Sequence, residues 1–182
     1  MALKEKALKR LTEKLAAAQV HWALGGDYAL TLRGEETAWH SFELLTDAAS
    51  AAAADKVLTK LGMRHEEDAA PAAFRCAYHF DGADILLTAG PAATVEGQAL
   101  RLRLDAAAAA EKVAVLGAQV PLLRLEDQLV LSVLQGDEAG ARRVAALLKK
   151  TGIDMDRVRG CTEEPLPEAI LTDIAALMEA EG

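Results

Sequence analysis

Aromatic residues are scarce in this chain, at 4% of its 182 residues. Large rings therefore cannot carry the packing. Much of the 52% hydrophobic content is alanine, which favours helix but buries little area, so the core must come from Leu, Val and Ile. Cysteine is nearly missing as well. Cys76 and Cys161 lie far apart and form no CxxC unit, so free thiols in a cytosolic setting are expected. No apolar run reaches the length of a membrane span. The start of the chain, MALKEKALKRLTEKL, is charged throughout, unlike a secretory signal, and a soluble cytoplasmic protein is expected. Positive charge is in deficit: 20 Lys and Arg face 28 Asp and Glu, a formal net charge of −8. That balance argues against broad, non-specific nucleic-acid binding, though not against a local basic site. There is no internal repeat and no GxSxG nucleophile elbow, so a hydrolase built on Ser41 has no ordered His-Asp partner to name.

What is present divides into two regions. Residues 2–18 read as an amphipathic helix with Leu3, Leu8, Leu11 and Leu15 on one face. Val20 to Leu24 reads as a strand and Tyr28 to Leu32 as a short helix capped by Asp27 and closed by Gly34. Ser41 to Thr46 is a second strand, and Asp47 to Leu61 an alanine-rich helix stopped by Gly62. Met63 to Glu67 starts another strand. Ala73 to Phe80 alternates, with Cys76 on its apolar side, and turns at Asp81-Gly82 into the strand Ala83 to Thr88. The stretch ALRLRLD reads as an edge strand with Arg101 and Arg103 outward. Val113 to Val115 and Val120 to Leu122 read as a small β element. Three helices follow Leu125, with Glu126 and Asp127 in a first turn and Lys149-Lys150 in a last turn, as the helix dipole prefers. The expected organisation is an α/β core over 1–105 and a β element with a helical region over 106–182, packed on that core as one unit.

Ala23 to Thr46 carries the functional signal. A strand ends at Gly25-Gly26, a helix follows, and the next strand shows Ser41 and Glu43 on one face, because side chains alternate along a strand. Glycines let backbone N–H groups approach a phosphate where a side chain would block it. Carboxylates on rigid strands hold Mg²⁺, and two such ions activate a hydroxyl and neutralise charge at a transferred phosphorus. Asp84, on the strand after Asp81-Gly82, adds a second carboxylate. His40, His79 and Cys76 have no ligand spacing for a transition metal. Trp22 and Trp39 flank the stretch and read as packing in preference to base stacking.

These residues resemble the small-domain branch of the nucleotidyltransferase superfamily. That group has the DNA polymerase β-like fold and includes minimal nucleotidyltransferases and AbiEii-type enzymes. Leu24-Gly25-Gly26, Ala29, Leu32 and Gly34 match the turn and helix of that pattern. Ser41-Phe42-Glu43 falls on its Asp-x-Asp strand and Asp84 on its third carboxylate. Val120-Pro121-Leu122 through Leu125-Glu126-Asp127 is similar to its later helix start. The match spans roughly residues 20–155. It implies a small mixed α/β (α+β) sheet flanked by helices and followed by a helical region. It also implies Mg²⁺ on Glu43 and Asp84, a catalytic set of Ser41, Glu43 and Asp84, and an NTP held by Gly25, Gly26, Arg142 and Arg143.

The departures bear on activity. Ser41 is neutral where the pattern has an aspartate that bridges two metals. Downstream, the resemblance implies a lysine and acids where this chain has Ser132-Val133, then Gly140, Arg142 and Arg143. The expectation is a nucleotidyltransferase-like protein with a degraded metal site. It would be inactive or weak and would act in nucleotide or partner binding, with Mg²⁺ in doubt. One alternative is an active Mg²⁺-dependent enzyme acting on a small molecule, protein or tRNA. Another is a non-enzymatic partner subunit of toxin–antitoxin type. The basic group Arg142, Arg143, Lys149, Lys150, Arg157 and Arg159 would meet a triphosphate, an RNA end or an acidic partner, or else is a solvated helix face. The last helix, through Ile170, Ile174, Leu177 and Met178, packs on the core or on a second copy.

Overall fold

Alternating apolar positions and X-Gly turns build the sheet. In a computed structural model describing residues 2–180, Asp81-Gly82, Glu96-Gly97 and Leu116-Gly117 all have positive φ at both positions. That is the backbone of two-residue hairpins, and it matches the twist of the strands it joins. Among the described residues, nine strands and seven helices follow one another. The strands are β1 (Trp22–Gly25), β2 (Ser41–Thr46), β3 (Met63–Glu66), β4 (Phe74–Phe80), β5 (Ala83–Ala89), β6 (Ala92–Val95), β7 (Gln98–Arg101), β8 (Glu111–Val115) and β9 (Ala118–Leu122). The helices are α1 (Ala2–Ala17), α2 (Gly26–Leu32), α3 (Ala51–Thr59), α4 (Leu125–Leu134), α5 (Glu138–Thr151), α6 (Met155–Gly160) and α7 (Glu168–Glu179).

Seven strands form one mixed sheet in the order β3-β4-β5-β2-β1-β9-β8. β1 is antiparallel to β2, β2 is parallel to β5, and β1 meets β9 in parallel through Leu24 and Leu122. Each face has its own core. On one face Leu8, Leu11 and Leu15 of α1 and Ala54 and Leu58 of α3 pack on Phe42, Leu44, Cys76, Tyr78, Ile85 and Leu87. The other core joins α4, α5, α6 and α7 to Ala23, Leu45 and Leu123. Beyond these helices the second face stays open over β2, β5 and β4.

Several expectations change. Leu3 is 64% exposed and off the buried stripe of α1, which runs through Ala7, Leu8, Leu11 and Leu15. Eight residues at 100° per residue separate Leu3 from Leu11, so it looks out to one side. ALRLRLD is not an edge strand of the main sheet. Its first part is β7, which pairs with β6 in a separate two-stranded sheet turned by Glu96-Gly97. The segment after Leu125 contains a fourth, short helix, α6, started by Asp154, whose carboxylate accepts from the amides of Asp156 and Arg157. The small β element expected over Val113 to Leu122 is the β8–β9 hairpin, which forms one edge of the main sheet.

Candidate functional site

The end of β1 and the start of α2 set the site. Gly25 lies opposite Glu43 in the β1–β2 ladder, and Gly26 follows with φ +66°. A Cβ on Gly26 would overlap the Glu43 carboxyl group, so the glycine is what lets that carboxyl lie against the turn. The Gly26 carbonyl accepts from Gln128 Nε2 of α4 at 3.1 Å. Next to it, Asp27 accepts from Arg143 of α5 at 2.9 Å. Asp137 caps α5, accepting from the Gly140 amide at 2.9 Å.

Glu43 therefore stands half-buried among other acids. Burial first, then the charges of Asp27 and Asp137, push its carboxyl above the usual carboxylate range, against the pull of Arg75. Among the described residues, no hydrogen bond or ion pair is formed to the Glu43 carboxyl group. Two hollows open on it. A cleft of about 430 Å³ runs outward over the open sheet face to the β6–β7 hairpin, lined by Glu43, Arg75, Leu86, Thr88, Thr94 and Gln135 among others. A recess of about 80 Å³ runs inward beneath α4 and the start of α5.

Ser41 and Asp84 are neighbours, but elsewhere. The parallel β2–β5 register pairs Ser41 with Asp84 and leaves Leu86 opposite Glu43. Asp84 is largely solvent-exposed at this end of the sheet, 2.8 Å from His79 Nδ1 on β4. Neither Ser41 nor Asp84 lines the cleft or the recess. Among the described residues, no three His, Cys, Asp or Glu side chains gather in a way that could hold a metal ion.

The basic group disperses. Arg143 reaches Asp27 beside the glycine turn, whereas Arg142 pairs with Glu138 on the outside of α5. Lys150 meets Glu35, Arg159 meets Asp156, and Lys149 donates to the Ala180 carbonyl. Arg157 is almost buried and clamps Asp127 and Asp105. Trp39 stacks on Phe42 with centroids 5.3 Å apart, and Trp22 is buried. Both are packing residues. Asp27, Gln128 and Asp137 line the recess with Glu43, and none of them stands out as a site residue in the sequence. Asp27 reads only as a helix cap, and Gln128 only as part of a helix start. Their convergence depends on α4 crossing the β1–α2 turn.

No protein-family model and no curated protein sequence matches this chain. Solved structures do. A candidate nucleotidyltransferase from Thermotoga maritima is 16% identical, with a TM-score of 0.60 over 80% of this chain and 92% of that one. The crystal structure of ANT(2'')-Ia in complex with adenylyl-2''-tobramycin is 11% identical, with a TM-score of 0.60 over 95% of this chain and 97% of that one. The solution structure of the antibiotic-resistance factor ANT(2'')-Ia is 15% identical, with a TM-score of 0.54 over 95% and 96%. The fold is nucleotidyltransferase-like, a mixed α/β sheet with helices on both faces. No helix among the described residues is long and apolar enough to cross a membrane.

Proposed function

We propose that this chain is a nucleotidyltransferase-like domain that no longer transfers nucleotides and instead binds a small ligand in the cleft over its open sheet face. The observation that carries this reading is the β2–β5 register. It sets neutral Ser41 opposite Asp84 and apolar Leu86 opposite Glu43, so one carboxylate reaches the cleft where two-metal chemistry needs several. The residues present do not fit a pair of Mg²⁺ ions: Ser41 has no charge, Asp84 is turned to His79, and no metal-holding cluster forms among the described residues. The glycine turn does not favour a phosphate on its own either, because Asp27 and Asp137 stand beside it.

The test is a thermal-shift series with NTPs, with and without Mg²⁺, on the wild type and on Ser41→Asp. The expected outcome is no Mg²⁺-dependent NTP shift in the wild type. A shift that appears only in Ser41→Asp supports a fold that retains the architecture and lacks a ligand. A wild-type shift that needs both NTP and Mg²⁺ overturns the reading and favours the active Mg²⁺-dependent enzyme.

A further inference from the structure

The geometry points to the inner recess as a binding site for a primary ammonium group, the end of a small aliphatic amine entering past Glu43. The recess lies between the β1–α2 turn, α4 and the start of α5, and is lined by Gly26, Asp27, Glu43, Gln128, Ser132 and Asp137 among others. Three carboxylates line it and no lysine or arginine does, the nearby Arg143 guanidinium being paired with Asp27. An acidic lining alone would not make a site. Gln128 supplies the independent observation. The residue is 5% exposed, its Nε2 is fixed on the Gly26 carbonyl, and its Oε1 is buried with no partner among the described residues. Because the Gly26 oxygen can only accept, the amide cannot be flipped to hide this. A buried acceptor left without a donor is costly, on the order of 1–3 kcal/mol, and so marks a place where a donor belongs.

An ammonium group matches what is missing. It brings three donors, no acceptor and one positive charge. Glu43 lacks a donor, Asp137 uses one oxygen on the Gly140 amide, and Gln128 Oε1 has nothing. Size agrees. At about 80 Å³ the recess has room for a group of ammonium size. A divalent metal is the poorer occupant, since the acids stand on three separate elements and form no metal-holding group among the described residues. Phosphate is repelled by all three acids. The outer cleft leaves room for the rest of the amine, with Arg75 available to a negative group on it.

The experiment is a thermal-shift titration of the full chain at neutral pH with n-propylammonium, against n-propanol and NaCl at matched concentration, and against MgCl2 and inorganic phosphate. For a chain of this size the amine is expected to raise Tm by about 3–6 °C at ten times its Kd. The alcohol and the salts should leave Tm unmoved. Glu43→Gln, which removes the charge and keeps the shape, should abolish the shift, and Gln128→Leu should weaken binding about tenfold or more. A shift of equal size with Na⁺ or n-propanol overturns the proposal, as does stabilisation by Mg²⁺ without any by the amine. An amine shift that survives Glu43→Gln also overturns it. No nucleotide enters this test, so its outcome is independent of whether the outer cleft binds one.

Discussion

At the scale of residues, the site depends on one glycine and one acid in contact. Gly26→Ala would add a Cβ where the Glu43 carboxyl group lies and force a side chain into φ +66°. Such backbone strain costs on the order of 1–3 kcal/mol, so the variant should unfold at lower urea. Combining it with Glu43→Ala should recover only the steric part. Glu43 also makes a pH prediction. Its folded pKa is raised above the ordinary 4.5, so the folded chain holds that proton more tightly than the unfolded chain. The stabilisation is complete below about pH 4.5 and is lost as pH rises through the folded pKa. Glu43→Gln cannot ionise and escapes that loss. The Tm of the variant relative to wild type should therefore climb between pH 4 and pH 7, as read by calorimetry. A flat difference would mean that Glu43 titrates normally.

At the scale of elements, α4 differs most from what its sequence suggests. Glu126 and Asp127 read as first-turn acids that complement a dipole, and they do sit there, yet both are buried anchors. Asp127 accepts two bonds of 2.8 Å from Arg157, which also reaches Asp105 at 2.9 Å. Glu126 accepts from Arg124 and from the Asp154 amide. This pins α4 to α6 and fixes where Gln128 crosses the glycine turn. Asp127→Ala leaves a nearly buried guanidinium with Asp105 as its remaining acid partner, and should cost about 3 kcal/mol, the low end for breaking a buried pair, in chemical denaturation. Arg159→Ala, breaking an exposed pair, should cost about 0–1 kcal/mol. The contrast explains what the sequence could tell. Local signals were legible: alternation in β4, the Asp81-Gly82 turn, the apolar periods of the later helices. The fate of each arginine was not, because Arg157 meets the distant Asp127 and Asp105 whereas Arg159, two residues on, pairs with its neighbour Asp156. The hairpin β6–β7 was misplaced for a similar reason. Its alternation is genuine, but alternation does not say which strand is the partner.

At the scale of the whole molecule, the α/β core expected over 1–105 and the region expected over 106–182 share a sheet and a core. β9 is the neighbour of β1, and Ala23, Leu30 and Leu45 are covered by residues after Leu123. A fragment of residues 1–105 should therefore lack a cooperative urea transition, while the full chain should show a single one by circular dichroism. The order of strand, glycine turn, helix and strand was readable because it is local. That Ser41, and not Glu43, faces Asp84 was not readable, because register across a parallel crossover is set by packing far along the chain. We propose that this register leaves the fold without nucleotidyl transfer. The most direct measurement is release of pyrophosphate, with label transfer from α-labelled NTPs, by the purified chain with Mg²⁺ or Mn²⁺ against a panel of amine, alcohol, protein and tRNA acceptors. The predicted result is no turnover above buffer for wild type and for Asp84→Asn alike. Turnover by wild type that disappears in Asp84→Asn would contradict it.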